Sequence, residues 1–84
     1  MILNTYLYDK EVIRMAEPRV ARVTEIIASS SKSFDDAVKV GFARATKTLR
    51  GITGMKVTEF RVAIENNKMI EYRVRLEVIF VLET

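Results

Sequence analysis

The sequence predicts a small α+β domain in which strand, helix, strand and strand follow one another, the last two closing as an antiparallel hairpin. Three observations carry this reading. From Met69 to Glu83 every second residue is apolar (Ile70, Tyr72, Val74, Leu76, Val78, Phe80, Leu82), as in a strand with one fully buried face. Residues 34–49 instead place apolar side chains every three or four positions, as in an amphipathic helix. Asn66 and Asn67 stand between two alternating runs, where asparagine's tolerance of positive φ suits a tight hairpin.

Taken in order, residues 19–28 (RVARVTEIIA) are β-branched and partly alternating, which predicts the first strand. The run SSSKS interrupts it. Ser33 followed by Asp36 has the form of a capping box: the hydroxyl accepts from an early helical N–H and the carboxylate reaches back. Phe34, Val38, Gly41, Phe42, Ala45 and Leu49 then form the apolar stripe of a helix of about four turns. Asp35 and Asp36 near its start and Lys47 and Arg50 near its end match the helix dipole. Gly51 follows the last periodic residue, where a left-handed C′ position is expected. Residues 55–65 alternate, which predicts Met55, Val57, Glu59 and Arg61 on one side and Thr58, Phe60, Val62 and Ile64 on the other.

The last strand would run to about 50 Å at roughly 3.3 Å per residue, and one helix of half that length cannot cover it. Its second face begins polar (Glu71, Arg73, Arg75, Glu77) and turns apolar at Ile79 and Val81. A strand end apolar on both faces needs cover on both, so this end is expected to be a subunit interface.

Composition narrows the function classes. A chain of 84 residues makes one domain that buries only roughly 60–65% of its unfolded surface, so it needs a further stabiliser. Cysteine is absent, which removes disulfides, thiolate catalysis and cysteine-ligated zinc; histidine is absent, which removes the commonest general base and metal ligand. Self-association remains. The net charge of +3 is spread over mixed signs without a basic block, so no nucleic-acid footprint appears. No apolar run approaches a membrane span, and the N-terminus lacks the pattern of a secretory signal; that lack and the absence of cysteine fit the cytoplasm.

Catalysis finds no constellation. Asp35 and Asp36 are accounted for by the helix start, and Glu59, Glu71 and Glu77 alternate with arginines as solvated cross-strand pairs, so neither an acid–base pair nor a metal site is expected. The run VGFAR (residues 40–44) faintly matches the glycine-aromatic core of an RNA-recognition motif, but it lies on a helix, where Gly41 reads better as a close-packing point. Residues 1–18 show no single period and end at Pro18. They read as an N-terminal extension before a domain at 19–84; alternatively Ile2, Leu3, Tyr6, Leu7, Val12 and Ile13 pack on a neighbouring subunit.

The segments SFDDAVKVGFARATKTLRGI and KVTEFRVAIENNKMIEYRVRLEVIFVLE, in this order and spacing, resemble the dodecins over about residues 19–84. The resemblance implies a three-stranded antiparallel sheet wrapped around one helix, a hollow shell of twelve copies, and storage or buffering of free flavin rather than turnover. It also implies a tryptophan before the second strand that stacks on the isoalloxazine ring and a glutamine early in the third strand that hydrogen-bonds it. By position these fall on Gly54 and Arg73, and the chain has no tryptophan at all. Binding of FMN or riboflavin is therefore expected to be weak or lost. The candidate binding residues are Gly54, Met55, Lys56, Arg73 and Arg75. Lys56, Arg73 and Arg75 would suit an anionic nucleotide or coenzyme phosphate, although Arg73 can equally pair with Glu59 or Glu71. A shell without any small-molecule ligand is the other open reading.

Overall fold

Strand β1 (Ala21–Ser30), helix α1 (Phe34–Thr48), strand β2 (Ile52–Glu65) and strand β3 (Lys68–Val81) follow in the expected order in a computed structural model that describes residues 18–82. Of the expected extension at 1–18, residues 1–17 lie outside the described residues, and with them the alternative contact to a neighbouring subunit. Among the described residues no helix is long and apolar enough to cross a membrane.

The sheet order is β1-β3-β2, with both pairings antiparallel. β3 holds the centre because its uninterrupted apolar face can be covered there along its middle: Val74, Leu76 and Val78 are fully buried beneath the helix. Helix α1 lies over β1 and β3 and approaches them through its smallest residues. Ala37, Gly41 and Ala45, four apart on one face, are its buried positions. A Cβ on Gly41 would stand 2.6 Å from Leu76 Cδ1 and 3.2 Å from Ala28 Cβ. The expected stripe is corrected accordingly: Ala37 belongs to it, and Phe42, 46% exposed, does not, because the contact row selects small side chains and turns the large ring outward.

The helix start is as expected in one half only. Ser33 Oγ accepts from the Asp36 amide at 2.9 Å. The Asp36 carboxylate instead accepts from Ser30 Oγ at 2.6 Å, and that buried hydroxyl accepts in turn from the Lys32 amide at 2.9 Å. The last serine of β1 thus fixes the turn into the helix. At the other end Leu49 is an extended C-cap whose amide donates to the Ala45 carbonyl. Gly51 has the positive φ expected, 71°, but two residues past the cap rather than next to it. Its carbonyl accepts from the Val81 amide at 3.0 Å, so the left-handed residue steers the chain into the sheet.

Asn66 and Asn67 have φ of 52° and 62°, the two positive values a type I′ hairpin requires. The strict alternation expected along β2 does not hold. Its pairing with β3 shifts between Ile52 and Gly54, between Val57 and Glu59, and between Ala63 and Ile64. A bulge adds one residue to one strand, and every side chain beyond it changes face. Thr58 is the extra residue in the middle of β2. Met55 and Val57 therefore share the helix-facing side with Phe60 and Val62, while Glu59 and Arg61 lie opposite.

Two apolar regions remain uncovered. At the hairpin end the sheet outruns the helix. Phe34 reaches Phe60 and Tyr72 edge-on, each at 5.1 Å between ring centroids, yet Phe60 remains 61% exposed and Ile64, Met69 and Ile70 are exposed beyond it. On the face away from the helix, exposed Val23 lies beside partly buried Ile79.

Candidate functional site

The face of the sheet away from α1 is a ladder of cross-strand rows, because antiparallel register sets side chains of all three strands abreast every second residue, about 7 Å apart along the strand. Reading β1, β3, β2 across, the rows are Val23, Ile79, Gly54; then Glu25, Glu77, Lys56; then Ile27, Arg75, Glu59; then Ser29, Arg73, Arg61. Four of the five expected site residues, Gly54, Lys56, Arg75 and Arg73, occupy successive rows of this one face. Met55 is separated from them: it points the other way and packs on the core with Val57 and Ile26. The bulge at residue 53 sets this division.

Gly54 needs no left-handed backbone, since Gly51 is the glycine with positive φ among the described residues. A Cβ built on Gly54 would meet only Ile79 Cδ1, at 3.9 Å. The position is an unfilled place beside an aliphatic side chain. Further along the face the charges lock together. Arg75 donates from Nε to Glu59 at 3.1 Å and from Nη1 to Glu25 at 3.2 Å, one guanidinium clamping all three strands. Arg61 donates to the other Glu59 oxygen at 2.6 Å. Arg73 turns to Glu71 on its own strand, at 3.1 and 2.8 Å, and not to Glu59. Hydrogen bonds from Arg61 and then Arg75 hold the Glu59 carboxyl below the usual carboxylate range, and Glu59 with Glu25 raises Arg75 above its already high value. These groups are open to water, so the pairs are screened.

Around this network lies an open groove of about 250 Å³ lined by Ile27, Ser29, Glu59, Arg61, Arg73, Val74 and Arg75. Arg61 and Arg73 face each other directly across the strands. Like charges in that position repel unless each is neutralised, here by Glu59 and Glu71. Arg61 and Ser29 were not among the expected site residues. Both were hidden by register: Ser29 read as a linker residue, and only the bulge at Thr58 places Arg61 opposite Arg73. Among the described residues no three carboxylates, cysteines or histidines gather as metal ligands, and no buried side-chain polar atom lacks a partner. The arrangement can bind a planar or anionic group against the sheet; it offers no activated nucleophile.

The family model described as Dodecin matches residues 20–83. The dodecin of Thermus thermophilus is 37% identical over 65 residues, covering 77% of this chain and 94% of that protein. The crystal structure of a tryptophan-to-phenylalanine variant of the T. thermophilus dodecin superposes with a TM-score of 0.74 at 36% identity, covering 80% of this chain and all of that one. Dodecin from Streptomyces coelicolor gives a TM-score of 0.77 at 34% identity over 81% of this chain and 97% of its own.

Proposed function

The chain belongs to the dodecin family, and from that membership we propose a self-assembling, non-enzymatic binding or storage protein of the cytoplasm in which flavin binding is weak or lost. The domain comprises residues 19–84, preceded by an extension at 1–18. The observation that carries the loss of flavin is Gly54. At the position where the family resemblance implies a stacking tryptophan stands a residue without a side chain, beside Ile79, in a chain with no tryptophan to replace it.

The same geometry supports assembly. Gly54 and Arg73 lie three rows apart, so that about 20 Å of strand separates them. One tricyclic ring cannot touch both on a single protomer, and a site using both positions is completed by a second copy. The two uncovered apolar regions supply surface for that contact.

Titration of riboflavin and FMN with the wild-type protein, followed by flavin fluorescence, tests the reading. The expected result is a colourless protein that leaves the fluorescence unquenched, in a particle that light scattering sizes as a large oligomer. Tight quenching would overturn the loss of flavin binding, and a monomer in solution would overturn the assembly.

A second reading is favoured by the groove beside Arg61 and Arg73. Two guanidinium groups abreast, with the Ser29 hydroxyl in the same row, suit the phosphate of a nucleotide or coenzyme better than a bare ring. Salt-dependent binding of such anions without flavin binding would select it. A particle indifferent to every ligand would leave the shell itself as the function.

A further inference from the structure

The two edges of the sheet differ. β2, at one edge, is blunted by three register shifts along its pairing with β3. β1, at the other, pairs with β3 in one unbroken register from Ala21 opposite Val81 to Ser30 opposite Tyr72, and it contains no proline. Among the described residues no strand lies on its outer side, where every second residue directs its N–H and C=O away from the sheet. Alongside that edge, between β1 and α1, runs a groove of about 450 Å³ lined chiefly by Ile26, Ala28, Val40, Gly41, Arg44 and Ala45. It also reaches Ile27 and Ser29, whose side chains belong to the opposite face, so the hollow opens over the edge itself. We infer that this edge and groove dock an extended acidic and aliphatic segment of another protein. The segment adds to β1 as a fourth, antiparallel strand, sets alternate aliphatic side chains in the groove and offers a carboxylate to Arg44.

Three observations choose that occupant. The first is spacing. Thr24, Ile26 and Ala28 face the groove in successive rows about 7 Å apart, and a strand laid beside them brings one side chain to each row. Val40, 45% exposed on the far wall, meets the aliphatic ones, and exposed Ile27 offers a like contact on the other face. The second is charge. Ser30 at the end of β1 bonds Asp36 at the start of α1, so the helix runs back along the strand and Arg44 lies towards Thr24. Arg22 is the next residue on the same face, and neither arginine makes an ion pair with another described residue. A carboxylate in the Thr24 row therefore stands near two cations. The third is what a second copy lacks. On the groove side its own β1 presents Arg22, Thr24, Ile26, Ala28 and Ser30, which add positive charge and no carboxylate. Its β2 edge is bulged, and Glu59 is already held there by Arg61 and Arg75.

The probe is a fluorescein-labelled synthetic peptide in which threonines alternate with valine, valine and glutamate in turn, titrated against the full-length protein by fluorescence anisotropy. The expected result is saturable binding that slows hydrogen exchange of the outward amides of residues 21–30. Arg44 is exposed, so Arg44→Glu leaves the fold intact; it is expected to weaken binding at least about tenfold, and a peptide with lysine in place of the glutamate should recover it. N-methylation of the peptide gives a second signature. Only every second residue of a strand directs its amide to a given neighbour, so methylating one alternate set abolishes binding and methylating the other leaves it. Absence of binding by the parent peptide overturns the inference. So does binding that Arg44→Glu leaves unchanged, or that both methylated sets affect equally. A wild-type protein that excludes the peptide, with the outward amides of residues 21–30 protected beforehand, would seat a second copy at the edge and also overturns it. Neither measurement involves flavin or phosphate, so the outcome is independent of the ligand of the opposite face.

Discussion

Replacing Gly54 by tryptophan asks whether one missing ring separates this protein from flavin binding. On the stability side the structure forecasts no loss. Gly54 is extended and its added Cβ would make an ordinary contact at 3.9 Å with Ile79 Cδ1. Removing a glycine from within a strand gains about 0.5–1 kcal/mol, and an aromatic–aliphatic cross-strand pair adds about 0.2–1 kcal/mol. For a domain of this size that shifts the melting temperature upward by several degrees, at roughly 4–8 °C per kcal/mol. On the binding side, stacking on a planar ring contributes about 1–3 kcal/mol per face, or about one to two powers of ten in Kd. The assay is riboflavin fluorescence quenching on wild type and variant, with thermal melts alongside. The comparison variant is Gly51→Trp, three residues past the end of α1 at Thr48. Gly51 has φ of 71° and a Cβ position 3.1 Å from the Val81 carbonyl oxygen, so that variant is expected to melt lower. A Gly54→Trp protein that folds like the wild type yet binds riboflavin no better would refute the assignment of the stacking position. A lower melting temperature would refute the geometry of the open place.

Further outcomes follow from other residues. Gly41→Ala forces a Cβ to within 2.6 Å of Leu76 Cδ1 and 3.2 Å of Ala28 Cβ, so urea denaturation should register a loss of about 1–3 kcal/mol; an unchanged midpoint would mean that the helix shifts freely on the sheet. Asn67→Val places a β-branched residue at φ 62° and should cost about 1–2 kcal/mol in the same assay, while Asn67→Gly should not destabilise. The Glu59 carboxyl is held below its unfolded value by Arg61 and Arg75. Its contribution is therefore complete above about pH 4.5 and is lost as the pH falls through the lower folded-state value. Glu59→Gln should flatten that acid limb of a stability–pH curve, and an identical limb in the variant would remove Glu59 from the account. Arg61→Ala combined with Arg73→Ala should abolish any salt-dependent binding of nucleotide phosphates while leaving the melting temperature within a few degrees; retained binding would move the anion site elsewhere.

Much of the candidate face was legible before any coordinates. Arg73, Arg75 and Glu77 alternate along β3, and alternation assigns them to one side whatever their partners. What alternation cannot reveal is the extra residue at Thr58. A bulge is defined by two residues on one strand opposing one on the next, so it exists only in the pairing, and a run of β-forming residues reads the same with or without it. That one residue puts Phe60 and Val62 on the same side as Met55 and Val57 and brings Arg61 opposite Arg73. Ser30 was unreadable for a related reason: among serines of similar appearance, only the fold selects the one buried against Asp36.

By itself, then, the sequence determined the order of the elements, the Ser33 cap, the positive φ of Gly51 and of the two asparagines, and the chemistry that is missing. These depend on neighbours within a few residues, where backbone sterics and local hydrogen bonds decide, or on residue types that are simply absent. Tertiary structure decided the rest: β3 as the central strand, the small-residue row that carries the helix, the Glu25, Arg75 and Glu59 clamp, and the separation of Gly54 from Arg73. Those depend on which strands lie side by side and in what register, and register is fixed by long-range burial and by bulges that no local pattern records.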